Sequence, residues 1–397
     1  RERILSHFRT IATESVPLIA SSNRVLGVDI TAEQDFPPFD NSAMDGFAIR
    51  AEDTAASSTR LKVVADIPAG SAPTVTLQTG EAARIMTGAQ MPQGADAVIP
   101  VEDTDFNNRQ AGIAPPETVS FNRQVQKGEN VRPHGTDIHA GETVLQKGRT
   151  LKPQDVGLLA MLGIADVIVF KKPRVALLSS GDELLDVNAP LEPGKIRDSN
   201  SYALAAALEN AGAEVLRLGV ARDTRESVTS LLDEAASQKA DLILSSAGVS
   251  VGAFDYIKEV IESNGKMDFW RVNMRPGKPL AFGAYHGINF IGLPGNPVSA
   301  FVGFEVFVRP VLERLGGKMD GDRLTVRVRS ADEINSDGRE SYLRAIIQIE
   351  NGVQTARLTG HQGSGNLLSL LQADALLIIP AGVKCVPAGQ EVEAILL

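Results

Sequence analysis

Five apolar runs between residues 172 and 317 each end in a loop rich in Gly, Ser, Pro or charged residues. Four of the loops read SSGDE, SAGVSVG, RPGKP and PGNP. The charged side chains at or near the loops are Asp182, Glu183, Asp198, Asp223, Asp255, Arg275 and Lys278. Glycine-rich turns before helices bind phosphate oxygens through backbone N–H groups, and carboxylates are hard ligands for Mg²⁺. The residue types therefore predict a site for a phosphorylated ligand with a divalent cation.

The elements that must position these loops alternate between strand and helix. The strand-like runs are 174–179, 214–220, 241–245, 269–274 and 288–293. Asp198 predicts the start of one helix, and Asp223 with Glu226 predicts a capping box for the next. Asn296 before Pro297 predicts the start of a long helix that reaches residue 315. This alternation predicts a doubly wound, mostly parallel sheet that binds ligands at the carboxyl ends of its strands.

Helix capping is an alternative explanation for each of these carboxylates taken alone, above all for Asp198 and Asp223. Five carboxylates at one predicted sheet edge are more than capping requires. Their number favours a ligand site.

The composition restricts the class of protein. The chain has 397 residues, a formal net charge of −10 and a pI near 5.2, which argues against a nucleic-acid partner. Its mean hydropathy is −0.03 and it has no apolar run of 18 residues, so no membrane segment is expected. Cys385 is the single cysteine and no signal-peptide pattern opens the chain, so we expect a reducing cytoplasm. The five histidines lack paired ligand spacing, so any metal is expected to be held by oxygen.

Changes of pattern along the chain predict four domains. Their predicted bounds are 1–32 with 141–172 for a discontinuous helical domain, 33–140 for an inserted β-rich domain, 173–317 for the α/β domain, and 318–397 for a small C-terminal β-barrel. Within the helical domain we expect helices over about 4–12, 21–26 and 155–164.

Eight motifs, in one order over nearly the whole chain, resemble a known family. They read DNSAMDGFA, RIMTGA, VRPHGTD, LSSGDEL, IRDSNS, SAGVSVGAFDY, RPGKPLAFG and LPGNPVSAF. This series closely resembles the molybdopterin molybdenumtransferases, which include the bacterial MoeA proteins and the E domain of gephyrin. The resemblance implies the last step of molybdenum cofactor synthesis, in which adenylylated molybdopterin and molybdate give molybdenum cofactor and AMP with Mg²⁺. It also implies a four-domain homodimer whose α/β domain binds molybdopterin.

The resemblance implies a role for individual residues of this chain. Its implied catalytic residues are Asp45, Thr87, Arg132, Asp137 and Glu183. The implied pterin-binding residues are Ser180, Gly181, Asp182, Asp223, Gly248, Ser250, Gly252, Asp255, Pro294 and Asn296, of which Asp182 and Asp255, together with Glu183, would hold the metal. The implied molybdate-binding residues are Arg275, Lys278, Ser299, Arg344 and Ser364. Molybdate is a tetrahedral dianion, which suits cations and hydroxyl donors.

The chain departs from the family pattern at two places. Arg275 stands where Lys is common, and the turn that follows Ser364 lacks an Arg that some relatives have. Taken alone, Arg344 also fits a structural salt bridge, and the MTGA and VRPHGTD loops fit ordinary turns.

Two other functions fit parts of the sequence. A molybdopterin adenylyltransferase uses the same kind of α/β domain but has no need of the MDG, MTGA and VRPHGTD loops. A dimeric scaffold, which the gephyrin E domain also is, would not need to keep Asp45, Thr87, Asp137 and Glu183. The adenylyltransferase and apo-molybdoenzymes are further expected partners, and tungstate cannot be told from molybdate because the two anions are nearly equal in size and charge.

Overall fold

The computed structural model describes residues 1–55, 58–106, 113–247, 254–319, 323–350 and 352–397, with the side chains of Phe254, Asp255, Trp270 and Glu350 left out of the description. The chain forms two compact units. One unit is Asp29–Gln146, and the other combines Arg1–Val28 with Lys147–Leu397. None of the described helices is long and apolar enough to cross a membrane.

A six-stranded sheet forms the centre of the larger unit. Its strands are β1 (Arg174–Ser180), β2 (Glu214–Ala221), β3 (Leu242–Ser246), β4 (Gly265–Arg271), β5 (Pro279–Tyr285) and β6 (Ile288–Leu293). The spatial order is β2-β1-β3-β6-β5-β4, and only β5 runs against the others. All five loops singled out in the sequence therefore leave from or enter the same edge of the sheet. The predicted mostly parallel fold is confirmed.

Helices cover both faces of this sheet. They are α1 (Ser199–Asn210), α2 (Arg225–Ser237), α3 (Phe254–Asn264), α4 (Pro297–Gly303) and α5 (Arg309–Leu315), with a π-helical turn at Phe304–Val308 joining the last two. Val175 and Leu177 of β1 pack with α1, α4 and α5, whereas Ala176 and Leu178 pack with α2 and α3. Because successive side chains of a strand point to opposite faces, a nearly continuous apolar strand satisfies both layers.

Two predicted helix starts agree with the structure and one does not. The Asp198 carboxylate accepts the N–H of Ser201 at 3.0 Å and caps α1 as predicted. The predicted cap at Asp223 is wrong, because Thr224 caps α2 by accepting the N–H of Ser227 at 3.2 Å. The Asp223 side chain therefore does not cap α2. Helix α4 begins at Pro297, as the Asn296–Pro297 pair predicts.

The C-terminal strands close into the predicted small barrel. The strands β7 (Thr325–Ser330), β8 (Glu340–Glu350), β9 (Val353–Leu358), β10 (Ala375–Ile379) and β11 (Glu391–Leu396) follow the order β8-β9-β7-β11-β10, and β10 pairs with β8 again. A short helix, α6 (Leu367–Leu371), lies between β9 and β10. Met274–Arg275, in the loop between β4 and β5, pairs with the start of β8 and so connects the barrel to the α/β sheet.

The first segment of the larger unit differs from its predicted helices. The opening helix covers only Glu2–Leu5, and Thr13–Pro17 is a strand antiparallel to Asp166–Phe170. The helix expected over 21–26 is wrong, because Asn23 adopts a left-handed φ of 61° that interrupts a helix. The third expected helix is present as Pro153–Met161. The four domain bounds remain predictions.

The inserted unit contains a five-stranded sheet. In spatial order its strands are Ala97–Pro100, Gly46–Ile49, Glu81–Ile85, Thr59–Ile67 and Thr118–Phe121. Gly46 is required there, because a Cβ atom would lie 2.0 Å from the carbonyl oxygen of Ile99. Two short antiparallel pairs accompany this sheet, Asn41–Ser42 with Val131–Arg132 and Ile30–Thr31 with Thr143–Leu145. The first pair brings the MDG loop beside the VRPHGTD loop.

Candidate functional site

In the inserted unit, the MDG and MTGA motifs form one hydrogen-bonded structure. Asp45 Oδ1 accepts both the backbone N–H and the hydroxyl of Thr87, each at 2.7 Å. Gly88 follows with a φ of 80° and donates its N–H to the carbonyl of Ser42 at 2.8 Å. Glycine adopts this conformation without strain, which explains the Thr-Gly sequence. The structure thus brings together two of the predicted catalytic residues.

The other two predicted catalytic residues of this unit form a surface ion pair. Arg132 Nη2 lies 2.6 Å from Asp137 Oδ2, and their side chains are 52% and 50% exposed. An exposed pair of this kind contributes at most about 1 kcal/mol to stability. Both groups are therefore open to a ligand, and their pairing adds little to stability.

In the larger unit, the loop after β1 presents the predicted carboxylates to solvent. Asp182 Oδ1 accepts the N–H of Asp223 at 3.2 Å, and Asp223 Oδ1 lies 3.4 Å from the hydroxyl of Ser180. Gly181 has a φ of 146°, and a Cβ atom on it would lie 2.5 Å from a Glu183 carboxylate oxygen. The Glu183 carboxylate thus lies directly over the glycine, and it has no hydrogen-bond partner within the described chain.

The donor set fits Mg²⁺ in the form this ion usually takes in proteins. Mg²⁺ commonly binds one or two carboxylates and completes its shell with water and substrate phosphate. Asp182 Oδ2 and both Glu183 oxygens are available for this. Across the described ranges, no group of three or more His, Cys, Asp or Glu side chains could hold a metal. Asp255, the third predicted ligand, is the second residue of α3, and its side chain is outside the description.

The remaining predicted pterin-binding residues follow the residues of β3 and β6 in the sequence. Gly248, Ser250 and Gly252 lie outside the described residues. Pro294 directly follows β6, and the exposed side-chain amide of Asn296 makes no capping bond to α4. Within the described residues the amide makes no other side-chain hydrogen bond, so it can donate to or accept from a ligand at the sheet edge.

Two buried serines at this edge were not singled out in the sequence. The hydroxyls of Ser179 in β1 and Ser245 in β3 have no hydrogen-bond partner among the described residues. An unpaired buried hydroxyl costs about 1 to 3 kcal/mol, so polar strand ends of this kind are poor choices for stability alone. Each of the two apolar runs ends in two consecutive serines, and this pattern in the sequence could have pointed to them.

Three predicted molybdate-binding residues come together where the β4–β5 loop packs on α4. A Cβ atom on Gly277 would lie 3.6 Å from the carbonyl of Ser299, so this loop runs close to the first turn of the helix. Ser299 is 3% exposed, and its hydroxyl makes no hydrogen bond with the described part of the chain. Lys278 is exposed, and no carboxylate pairs with it among the residues described. Cations and hydroxyls near a helix N-terminus suit an anion.

Arg344 is fully buried and organises the loop that carries Ser364. Its guanidinium donates to the hydroxyl of Ser369 at 3.0 Å and to the carbonyls of Gly363 and His361 at 3.1 and 3.2 Å. No described carboxylate pairs with it, so the salt-bridge interpretation is wrong. Burial lowers the pKa of Arg344, and the charge of Arg275 lowers it further. The carbonyl of Ser364 accepts the N–H of Val298 at 3.0 Å, which joins this loop to the start of α4.

Asp337 and Arg339 also lie beside the predicted molybdate pocket. Arg275 Nη1 is 3.8 Å from Asp337 Oδ2, and Arg339 donates to Asp337 and to the carbonyl of Met274. Hydrogen bonds from Arg339, with a smaller effect of Arg275, lower the pKa of Asp337 to about 2. Sequence analysis missed both residues because only the pairing of Met274–Arg275 with β8 brings them close.

The fold defines a class of multidomain proteins in which a mostly parallel α/β domain is combined with an inserted β-rich unit and a C-terminal β-barrel. Three family models match the chain in order. They are the MoeA N-terminal region (domain I and II) at 1–163, the probable molybdopterin binding domain at 176–314, and the MoeA C-terminal region (domain IV) at 327–397. The chain belongs to the molybdopterin molybdenumtransferase family, and the predicted resemblance is confirmed.

Individual relatives match over nearly the full length. The molybdopterin molybdenumtransferase of Nostoc sp. is 40% identical, with 96% of this chain and 88% of the relative covered. Molybdopterin molybdenumtransferase 2 of Mycobacterium tuberculosis is also 40% identical, with 96% and 94% covered. The crystal structure of the molybdopterin biosynthesis MoeA protein from Pyrococcus horikoshii superposes with a TM-score of 0.84 at 33% identity, covering 100% of this chain and 98% of that one.

Proposed function

We propose that this chain inserts molybdate into adenylylated molybdopterin, releasing AMP and giving the molybdenum cofactor. One observation carries the proposal. Arg275, Lys278 and the free hydroxyl of Ser299 lie at the same sheet edge as the carboxylates of Asp182 and Glu183. Such an edge can hold an oxyanion and a metal-bound phosphoanhydride close together. Relatives that match 96% of the chain bear the name of this activity.

The adenylylated pterin would bind along the carboxyl ends of β1, β3 and β6. Gly181 has no side chain of its own, and the Glu183 carboxylate occupies the space over it, so a phosphate would approach this turn through a cation held by Glu183. Asp223 and Ser180 would fix polar groups of the ligand from one side, and Asn296 with Pro294 would do so from the other. The resemblance also assigns Gly248, Ser250 and Gly252, which lie outside the described residues, to the pterin.

Asp182, Glu183 and Asp255 are the proposed holders of Mg²⁺. A bound Mg²⁺ would act as a Lewis acid on the phosphoryl oxygens. The hydrogen bond from the Asp223 N–H occupies Oδ1 of Asp182 and leaves Oδ2 without a described hydrogen-bond partner. The Glu183 carboxylate has no partner among the described residues that a cation would need to displace.

Molybdate would be held by charge-assisted hydrogen bonds. Arg275 offers a planar fork of donors and Lys278 a compact charge, while Ser299 adds a hydroxyl. Arg344 acts here mainly through position, because its donors already hold the carbonyls of the Ser364 loop. Its buried positive charge adds to the attraction for a dianion.

In the inserted unit, Thr87 and the Arg132–Asp137 pair are proposed to act on the substrate. Because Asp45 accepts the Thr87 hydroxyl proton, the lone pairs of the Thr87 oxygen remain free to accept from a ligand. Arg132 supplies a cation and Asp137 a proton acceptor at the surface.

The test is AMP release from adenylylated molybdopterin and Mg²⁺, measured with and without molybdate. AMP release that depends on molybdate supports the proposal. AMP release at the same rate with and without molybdate contradicts it. An adenylyltransferase would instead release pyrophosphate from ATP and molybdopterin, and a scaffold would do neither. Tungstate, tested in parallel, decides the choice between the two oxyanions.

We further propose that the protein works as a cytoplasmic homodimer. Family resemblance supports the dimer, and the single cysteine fits a reducing compartment. The adenylyltransferase that makes its substrate and the apo-molybdoenzymes that use its product are the proposed partners.

A further inference from the structure

Two carboxylates outside the assigned site hold the loop of residues 133–140 in the inserted unit. Asp40 Oδ1 accepts the backbone N–H of His134 at 2.7 Å. Asp35 Oδ1 accepts the backbone N–H of Ala140 at 2.7 Å. These two bonds fix opposite ends of the loop, and Asp137 lies between them.

The backbone of the same segment supplies the acceptors for the middle of the loop. The carbonyl of Pro37 accepts the N–H of Gly135 at 3.0 Å, and the carbonyl of Phe36 accepts the N–H groups of Asp137 and Ile138 at 2.9 and 3.1 Å. The prolines at 37 and 38 have no N–H to donate, so this segment can serve the loop mainly as an acceptor. The loop therefore closes around residues 35–40.

The fit is close at Gly135. This buried glycine has a φ of 72°, and a Cβ atom would lie 3.2 Å from Asp35 Oδ2. Asp35 is also 3.5 Å from the imidazole of His134. A loop held this closely fixes the position of Asp137, and with it the 2.6 Å contact to Arg132.

We propose that Asp40 and Asp35 are positioning residues that hold the Arg132–Asp137 pair in its working geometry. The inference rests on the proposed function, because it assigns that pair to the reaction. Charge-assisted bonds from backbone N–H groups are short and directional, which suits a role in placement. A shift of about 1 Å in a reacting group can cost about a hundredfold in rate.

The experiment compares Asp40→Ala, Asp40→Asn and a matched control, Asp105→Ala. Asp105 accepts the N–H of Ser120 at 2.7 Å in the same unit, but away from the loop. We expect Asp40→Ala to lower kcat for molybdate-dependent AMP release about tenfold with little change in KM, since placement and not binding is lost. Asp40→Asn should recover most of the rate because its amide oxygen accepts the same N–H. The control should stay within about twofold of wild type.

A double-mutant cycle separates positioning from a general structural effect. In an Asp137→Ala background, Asp40→Ala should change the rate less than twofold, because the group that it positions is already gone. Equal losses in both backgrounds would overturn the proposal. Amide exchange of residues 133–140 is measured on the same variants. It should quicken in Asp40→Ala and not in Asp105→Ala, and unchanged exchange also overturns the proposal. If wild type shows no molybdate-dependent AMP release, the proposed function fails, and the exchange result alone decides the positioning role.

Discussion

Lys278 is an exposed proposed molybdate ligand, and no described carboxylate neutralises its charge. Each charge-assisted hydrogen bond to an anion is worth about 1.5 to 3 kcal/mol. Lys278→Ala should therefore raise the molybdate concentration for half-maximal AMP release about ten- to a hundredfold. Binding of the adenylylated pterin should change less. A molybdate titration of activity measures the effect.

The control for this substitution is Lys171→Ala. Lys171 is also exposed and unpaired in the described chain, but it precedes β1 at the opposite edge of the sheet. Lys171→Ala removes one surface charge without removing a side chain that is proposed to bind molybdate. If Lys278→Ala lowers Tm but leaves the molybdate titration where it was, Lys278 has only a structural role.

Asp337 places a negative charge beside the proposed dianion pocket. It lies 3.8 Å from Arg275, so it competes with molybdate for that cation. Asp337→Asn should lower the half-maximal molybdate concentration about threefold, since an exposed like charge beside the pocket repels the dianion only weakly through water. Asp332→Asn is the matched control, because Asp332 pairs with Arg357 elsewhere in the barrel. Equal titrations for the two variants would exclude the electrostatic effect.

The pH dependence of this effect follows from the same contacts. Arg339 and Arg275 lower the pKa of Asp337 to about 2. A carboxylate with a lowered pKa stabilises the fold above its unfolded-state pKa of about 3.9 and loses that contribution as pH falls through 2. Asp337 is thus charged at any practical assay pH, and the difference between wild type and Asp337→Asn should be constant from pH 5 to 8.

Single residues were predictable where their role is local. The Asp198 cap follows from its position one residue before an apolar helix. At Asp223, the same reasoning placed the helix cap one residue too early. Thr224 is the cap, and the Asp223 carboxylate therefore remains available to the proposed site. Arg344 was misread for a different reason. A sequence cannot show that the guanidinium is satisfied by carbonyls of a loop and a hydroxyl of the helix that follows it.

At the scale of elements, apolar pattern predicted the sheet well and the first segment poorly. Buried parallel strands are short, continuous apolar runs, and β1, β3 and β6 have this pattern. Ile4 and Phe8 have helical spacing and do pack into the core of the α/β domain, yet the helix ends at Leu5. Both side chains are buried against that core, and their spacing in the sequence follows from this burial. A helix that continues to Phe8 is not needed to bury them.

The barrel loop between β9 and α6 depends on Arg344. Arg344→Met would leave the carbonyls of His361 and Gly363 and the hydroxyl of Ser369 without a donor. We expect a loss of about 3 kcal/mol in the free energy of unfolding, together with weaker molybdate response, because the Ser364 loop loses its support. Arg357→Met, at an exposed pair in the same barrel, should cost less than about 1 kcal/mol. Denaturant unfolding measures both, and equal losses would contradict the role of Arg344.

At the scale of the whole molecule, the order of motifs predicted the family, whereas the contacts within the site needed coordinates. Strand and helix alternation places loops at one edge without giving any distance. The proximity of Arg275 to Asp337 requires a barrel strand to pair with a loop more than 60 residues earlier, which no local pattern encodes.

The proposed homodimer gives a prediction with a definite dependence on salt. Light scattering at micromolar concentration should return twice the chain mass of 42.2 kDa. Ile19, Met319 and Leu371 are 80 to 90% exposed in the single chain, and association is one way to cover such side chains. Each chain carries a net charge of −10, so two chains repel each other. Salt screens this repulsion, and the screening length falls to about 10 Å at 0.1 M. Raising the salt from about 0.01 to 0.1 M should therefore tighten the dimer. A chain that stays at 42.2 kDa at both salt concentrations contradicts the dimer, and a dimer that dissociates as salt rises would show that attraction between opposite charges holds it together.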